Sequence, residues 1–324
     1  MSTTLTMPRA SQASAPFAVP CASPRLAFVL GSGGVRSIAA IGIADRLLRE
    51  GIRADLVVGC SSGALFGAQI ALGMEKDAAL RMATTLWSPE LTRRRRWRAY
   101  AQMALPRLAG FDEAFAMRDD GLIAERIGQA FGKLQLEDLP MAMRVATTDA
   151  ATGDAVVLKR GSLAQALRAS IAVPIIFPSV EIDGRRLVDG VMSDPLPVGA
   201  AADASVVLAL GFRGAMPRRV DRLSRMVAQT STTLINNLMQ ARVAAAEAQG
   251  QHVINMELDL DRHVGLWDTS ALPYLFEAGQ RAAESCLSRI ETALAQCQGG
   301  AGNASEPDFK RAAAKPSASA CLQD

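Results

Sequence analysis

Two compact apolar runs, each emptying into a glycine-bearing turn and then a helical pattern, constrain this chain more than any other feature. The first is Leu26-Ala27-Phe28-Val29-Leu30, followed by Gly31-Ser32-Gly33-Gly34-Val35-Arg36-Ser37 and a helical stretch from Ile38 to Leu48. The second runs from Asp55 to Gly59 and passes through Cys60-Ser61-Ser62-Gly63 into small and apolar residues from Ala64 to Leu72. Runs that are apolar throughout, without alternation, suit strands covered on both faces, as in a parallel sheet. Successive strand-turn-helix units put both turns at the carboxyl edge of such a sheet, so the two turns are expected to be neighbours in space.

The second turn reads G-x-S-x-G. A strand that reverses abruptly into a helix needs small residues two before and two after the turning residue, so that the backbones can pass. Ser61 would then stand at the N-terminus of the following helix, where N–H groups and the dipole favour developing negative charge. Alone, the pattern is first of all that of a plain turn between strand and helix, so partners must come from elsewhere. The first turn has three readings. A dinucleotide fingerprint needs glycine where Arg36 stands, and a P-loop needs a terminal Gly-Lys-Ser/Thr that is absent. The third is an anion nest, in which the N–H groups of Gly33 and Gly34 receive the oxyanion of an acyl-transfer intermediate while Arg36 holds the loop. A tight packing turn is the plain alternative.

From Leu91 to Met103 the chain reads L-T-R-R-R-R-W-R-A-Y-A-Q-M. As a helix it would carry Arg93, Arg94, Arg95, Arg96 and Arg98 beside Trp97 and Tyr100, a face suited to anionic lipid head groups with rings at the interface. The plainer reading is a solvated charge run. Ala114 to Phe131 is expected to be helical with a break near Asp119-Asp120-Gly121. Strands are expected at Met143–Asp149 and Ala155–Leu158, a helix at Ser162–Ser170, and a rigid extended course through the two prolines of Ala172-Val173-Pro174-Ile175-Ile176-Phe177-Pro178. Asp183-Gly184 is a hairpin signal whose return strand, Leu187-Val188, ends at Asp189. A further strand at Ser205–Gly211, a long helix at Arg222–Gln249, a last strand at Val253–Leu258 and a helix at Ser270–Ala295 complete an α/β pattern.

An aspartate between an apolar strand and a glycine usually marks only a turn. A catalytic Asp189 would have to face Ser61 and take its proton, which an unperturbed carboxyl near about 3.9 does poorly unless burial raises it. The order Ser61, Asp189, His252 or His263 also permits a Ser-acid-His triad. Yet His252 lies at the approach to a strand and His263 in a loop without a motif, so a Ser61–Asp189 dyad is the preferred arrangement.

Bulk properties narrow the classes. The 324 residues are 49% hydrophobic, enough for one large domain. Lys+Arg 35 against Asp+Glu 32, with no second basic cluster, argues against a nucleic-acid partner. Two histidines and five cysteines without a C-x-x-C pair argue against a metal site or disulfide framework and fit a reducing compartment. Residues 1–24 and 297–324, poor in periodicity, are expected as a disordered leader and tail around a domain at 25–296. No stretch offers the roughly 18 uninterrupted apolar residues of a membrane span.

Four segments in this order resemble the patatin-like phospholipase family. They are Gly31-Ser32-Gly33-Gly34-Val35-Arg36, Gly59-Cys60-Ser61-Ser62-Gly63, Ala169-Ser170-Ile171-Ala172-Val173-Pro174 with Phe177-Pro178, and Asp189-Gly190 before Pro195-Leu196-Pro197-Val198. The resemblance covers roughly Leu26 to Ala295. It implies a three-layer α/β/α fold with a mainly parallel sheet and a Ser61–Asp189 dyad that needs no cofactor or metal. The implied oxyanion donors are Gly33, Gly34 and Ser62. The implied substrate is a lipid ester of the phospholipase A or lysophospholipase type, met in the cytoplasm or at the inner face of an anionic membrane through Arg93, Arg94, Arg95, Arg96 and Trp97. Ser37, where the family usually has glycine, Val191, where it has a small residue after Asp-Gly, and Ala40, where many bacterial members have histidine, depart from the pattern. The first two motivate an alternative, a non-catalytic lipid-binding or scaffold protein of the same fold. Oligomeric state stays open.

Overall fold

The computed structural model describes residues 23–216 and 219–300, so the expected leader and tail lie outside the described residues except at their inner ends. The first expected unit is β1 (Leu26–Leu30), a 3-10 turn over Gly34–Ile38 and α1 (Ala39–Arg49). The second is β2 (Leu56–Cys60) and α2 (Ser62–Ala71). Next come α3 (Lys76–Leu86), α4 (Trp97–Ala104), α5 (Gly121–Phe131), β3 (Ala142–Asp149), β4 (Ala155–Leu158) and α6 (Leu163–Ser170). The chain closes with β5 (Val180–Ile182), β6 (Arg185–Asp189), β7 (Val206–Leu210), α7 (Leu223–Ala248), β8 (His252–Met256) and α8 (Leu272–Gly300). The last helix thus reaches into the segment expected as tail.

Among the described residues the eight strands form one mixed, mostly parallel sheet in the order β5-β6-β3-β2-β1-β7-β8, with β4 also on β3. Side chains alternate between its faces, and both faces are covered. Leu26, Phe28 and Leu30 of β1 and Leu208 and Leu210 of β7 pack with α1, α2, α3, α5 and α8. Ala27, Val29, Val58, Val207 and Ala209 point the other way, against Met239 and Ala246 of α7 and the segment Leu196–Ala204. This two-sided burial is why the strands read as unbroken apolar runs. Each fully buried Leu or Phe contributes about 1.5–3 kcal/mol.

Two expectations need correction. The arginine-rich stretch is not one helix. A short 3-10 turn at Pro89–Thr92 gives way to extended backbone, with Arg95 bridging Arg118 and the Arg96 N–H donating to the Met117 carbonyl, and α4 starts only at Trp97. Helix periodicity therefore does not array Arg93, Arg94, Arg95 and Arg96 along one face. Residues 114–118, expected as helix before the break near Asp119-Asp120-Gly121, are likewise not helical: Ala116 bridges Ile175, and the N–H groups of Met117 and Arg118 donate to the carbonyls of Ile175 and Ile176. Pairing with distant backbone has overridden local helix propensity in both.

The register of β3 arranges the site. Val145 and Ala146 pair with both β4 and β2, while Thr147 and Thr148 pair with both β4 and β6. A strand has two edges, so β2 and β6 must share one of them, β6 taking over where β2 stops. Cys60 is opposite Ala146 and Asp189 is opposite Thr147, which brings the residue after Cys60 up to Asp189.

Candidate active site

Ser61 terminates β2 with φ 55 and ψ −128, a conformation that L side chains seldom adopt, and α2 begins at the next residue. The two flanking glycines are sterically required. A Cβ on Gly59 would strike the Ala64 backbone, and one on Gly63 would meet the carbonyl oxygens of Leu30 and Gly31. The strain of the turn, of order 1–3 kcal/mol, is held by its surroundings. Chief among them is Ser170 at the end of α6, whose buried Oγ accepts the Ser61 N–H at 2.8 Å and donates to the Ala146 carbonyl at 2.8 Å.

Ser61 Oγ donates to Asp189 Oδ2 at 2.7 Å, and Asp189 Oδ1 accepts the Val191 N–H at 2.9 Å. Asp189 is fully buried, and desolvation raises its pKa from 3.8 to about 7, against the smaller lowering effects of the Val191 N–H and the Ser61 hydroxyl. That places a carboxylate base within hydrogen-bond reach of a hydroxyl at neutral pH. Val191 meets the carboxylate through its backbone N–H, a donor that any residue but proline supplies. Thr148 Oγ1 donates to the Asp189 carbonyl at 3.0 Å and lies 2.7 Å from Ser193 Oγ, which anchors the end of β6.

The glycine loop lies beside the elbow, as the parallel arrangement requires. Its N–H groups are largely committed. Gly31 donates to Leu210, Ser32 to Pro195 and Val35 to Leu266, all to carbonyls. The Gly33 N–H donates to Ser62 Oγ at 3.1 Å, and Ser62 Oγ lies 2.9 Å from Ser37 Oγ. Gly33 was expected to serve as an oxyanion donor, but in this geometry its N–H is engaged. The Gly34 N–H has no acceptor among the described residues. Ser62, in the first turn of α2, has no acceptor within its helix. Arg36 Nε donates to the Gly33 carbonyl at 3.3 Å and Nη1 to the Arg213 carbonyl at 3.1 Å, with the guanidinium over the Phe212 ring.

Thr148 and Ser193 gave no signal in the sequence, Ser170 entered only as a member of its motif, and Ser37 only as a departure from the usual glycine. Each is a buried hydroxyl in an apolar setting, a pattern whose only sequence signal is a small polar residue at the end of a strand or helix. Among the described residues neither histidine makes a hydrogen bond to Ser61 or Asp189. His252 starts β8, at the amino edge of the parallel strands, and His263 is exposed in the loop beyond β8. A cleft of about 520 Å³ opens on the other side of the glycine loop, lined by Arg36, Phe212, Met239, Asn255 and Glu257 among others. Neither Ser61 nor Asp189 lines it. Among the described residues no group of His, Cys, Asp and Glu is placed to hold a metal ion, and no helix is long and apolar enough to cross a membrane.

Fold and site together define an α/β protein with a strained serine elbow at the carboxyl edge of a mostly parallel sheet. The family model for patatin-like phospholipase matches residues 28–202, more than half of the chain, and the chain belongs to that family. An uncharacterized NTE family protein of Mycobacterium tuberculosis is 33% identical over 220 residues, covering 64% of this chain and 57% of the relative. The chain therefore spans little more than half the length of that relative. Patatin-like phospholipase domain-containing protein 7 of Rattus norvegicus is 29% identical over 192 residues, 57% of this chain and 13% of that protein. Among solved structures, VipD from Legionella pneumophila is similar at 14% identity and a TM-score of 0.44, covering 82% of this chain and 67% of that one.

Proposed function

We propose that this protein is a serine acyl hydrolase that cleaves carboxylic esters of lipids, of the phospholipase A or lysophospholipase type. The observation that carries the reading is the 2.7 Å bond from Ser61 Oγ to a fully buried Asp189 whose pKa is raised to about 7. Ser61 Oγ attacks the acyl carbonyl carbon as its proton passes to Asp189, and the carbonyl oxygen takes up the negative charge facing the N–H groups of Ser62 and Gly34. Collapse expels the alkoxide, which takes the proton from Asp189 and leaves as the alcohol. Water then attacks the acyl-enzyme, Asp189 accepts its proton and returns it to Ser61 Oγ, and the carboxylic acid departs. No cofactor enters these steps.

The substrate class comes from the family, and the domain that acts on it would span 25–296. Cys60, Cys286 and Cys297 are free, which fits a reducing, cytoplasmic setting, with the arginines before α4 at an anionic inner membrane face. The test is turnover of a short p-nitrophenyl ester together with labelling by a fluorophosphonate. Wild type should turn over and be labelled, Ser61→Ala should do neither, and replacing both His252 and His263 by Ala should change nothing. An unlabelled wild-type chain would favour the non-catalytic scaffold, and loss of activity in the histidine variant would restore a triad.

A further inference from the structure

Exposed apolar side chains are distributed very unevenly over this molecule. Among the described residues sixteen large hydrophobics are exposed, and only Leu48, at the end of α1 just before β2, belongs to the amino edge of the sheet. The rest sit in segments that the topology places at the carboxyl edge, where Ser61 lies. Residues 87–120 connect α3, which climbs to that edge, with α5, which descends from it; Trp97 at 75% and Leu108 at 84% exposure lie there. Ile175 and Ile176 follow the loop whose Ala172 carbonyl accepts the Asp189 N–H, Met192 is three residues past Asp189, and Leu266 covers Gly34.

The largest share belongs to α7 and its approach. Helix α7 joins the carboxyl end of β7 to the amino end of β8, strands of five residues that span about 17 Å. Its 26 residues span about 39 Å at 1.5 Å per residue, so it overshoots the sheet. Its only buried residues, Met239 and Ala246, lie in its second half, and Asn236 grips the backbone of Gly214. The first turns therefore project past the carboxyl edge. On the face turned away from Asn236 and Met239, Leu223, Met226, Val227, Thr230 and Leu234 fall at i, i+3, i+4, i+7 and i+11, all exposed. Met216 and Val220 extend this apolar surface. Arg219 and Arg222 flank it, exposed and without an ion pair among the described residues, while Arg225 pairs with Asp221 at 2.9 Å.

An apolar stripe bordered by unpaired arginines is the composition of a helix that lies in the interface of an anionic bilayer. We infer that the N-terminal half of α7 inserts its Leu223–Leu234 face into an anionic lipid surface and, with the 97–111 segment, seats the carboxyl edge of the sheet and Ser61 against it. The inference deepens the proposed function and rests on it for the substrate, whereas the placement of α7 does not depend on hydrolysis.

Flotation of the full chain with phosphatidylcholine vesicles, with and without phosphatidylglycerol, tests it. The Leu223→Ser/Val227→Ser/Leu234→Ser variant should lose binding to the anionic vesicles by roughly tenfold or more, while keeping wild-type ester turnover and fluorophosphonate labelling, which report a folded site. Leu223→Trp should blue-shift its emission on adding anionic vesicles and leave it unmoved with phosphatidylcholine alone. Undiminished binding by the triple variant would overturn the inference, as would a dimer that the triple variant dissolves without change in vesicle binding, because the stripe would then be covered by a second copy. Vesicle binding by a wild type that hydrolyses no ester would sink the proposed reaction and leave the role of α7 standing.

Discussion

Two turns lie side by side at the carboxyl edge of the sheet, and they solve the same problem differently. After β1 the chain turns through Gly31 to Gly34, with the positive φ of 61 on Gly34, where no Cβ objects; the N–H groups of Gly31, Ser32 and Gly33 are bonded to Leu210, Pro195 and Ser62, and that of Val35, just after, to Leu266. After β2 it turns at Ser61 alone, with φ 55 on a residue that has a side chain. The loop is relaxed and pinned; the elbow is strained and leaves its first helical N–H groups open. The loop thus forms the wall that holds the elbow's neighbour Ser62, while the backbone strain is concentrated at Ser61. Ser37 extends that wall. Its Oγ bonds Ser62 Oγ and approaches the Gly31 carbonyl at 3.4 Å, so it joins the two turns into one network.

The sharpest way to break the elbow's half of this comparison is at its base. Asp189→Asn should lower ester turnover by roughly a thousandfold or more, since the proton acceptor is gone. It should also raise the melting temperature at neutral pH. A carboxyl whose folded pKa is raised above its unfolded value stabilises less as pH rises from about 4 to about 7, and the asparagine carries no such cost. For the same reason kcat/KM of the wild type should climb with pH and level off above about 7, where Asp189 is ionised. A flat profile through neutrality would deny Asp189 the role of base.

A smaller effect is expected where the two turns touch. Gly63→Ala pushes a Cβ against the carbonyl oxygens of Leu30 and Gly31 and should cost about 1–3 kcal/mol in urea unfolding. Gly153→Ala, at a turn with open space around it, carries the ordinary positive-φ strain alone and serves as the reference. Equal losses at the two sites would mean that the contact between the turns is slack. Smallest of all, Ser37→Ala removes the hydroxyl that orients Ser62 Oγ. It should reduce kcat by about three- to tenfold with KM little changed, read by steady-state kinetics on the short ester. An unchanged kcat would make Ser37 a passive filler of the glycine position.

Much of this was legible in the sequence, and the reason differs from element to element. The strands at Leu26–Leu30, Leu56–Cys60 and Val206–Leu210 are apolar on every residue, and the Asp183-Gly184 turn does adopt the two positive φ values that its residues favour. The exceptions share one cause. Arg94, Arg95 and Arg96, like Ala116, Met117 and Arg118, pair with distant backbone, so their local composition misled. The engagement of the Gly33 N–H depends on a rotamer of Ser62, 29 positions away. Ser170, Thr148 and Ser193 act through bonds to residues that no local pattern links to them.

What the sequence determined by itself is the serine elbow, because the glycine spacing around Ser61 answers to contacts between a strand and the helix that directly follows it. Steric demands of that range are written in consecutive residues. Only the tertiary structure decided that Asp189 meets Ser61, through β6 succeeding β2 along one edge of β3, and that α7 overshoots the sheet toward the same edge. Both follow from strand register and the relative length of elements far apart in the chain, quantities that exist only once the sheet has formed.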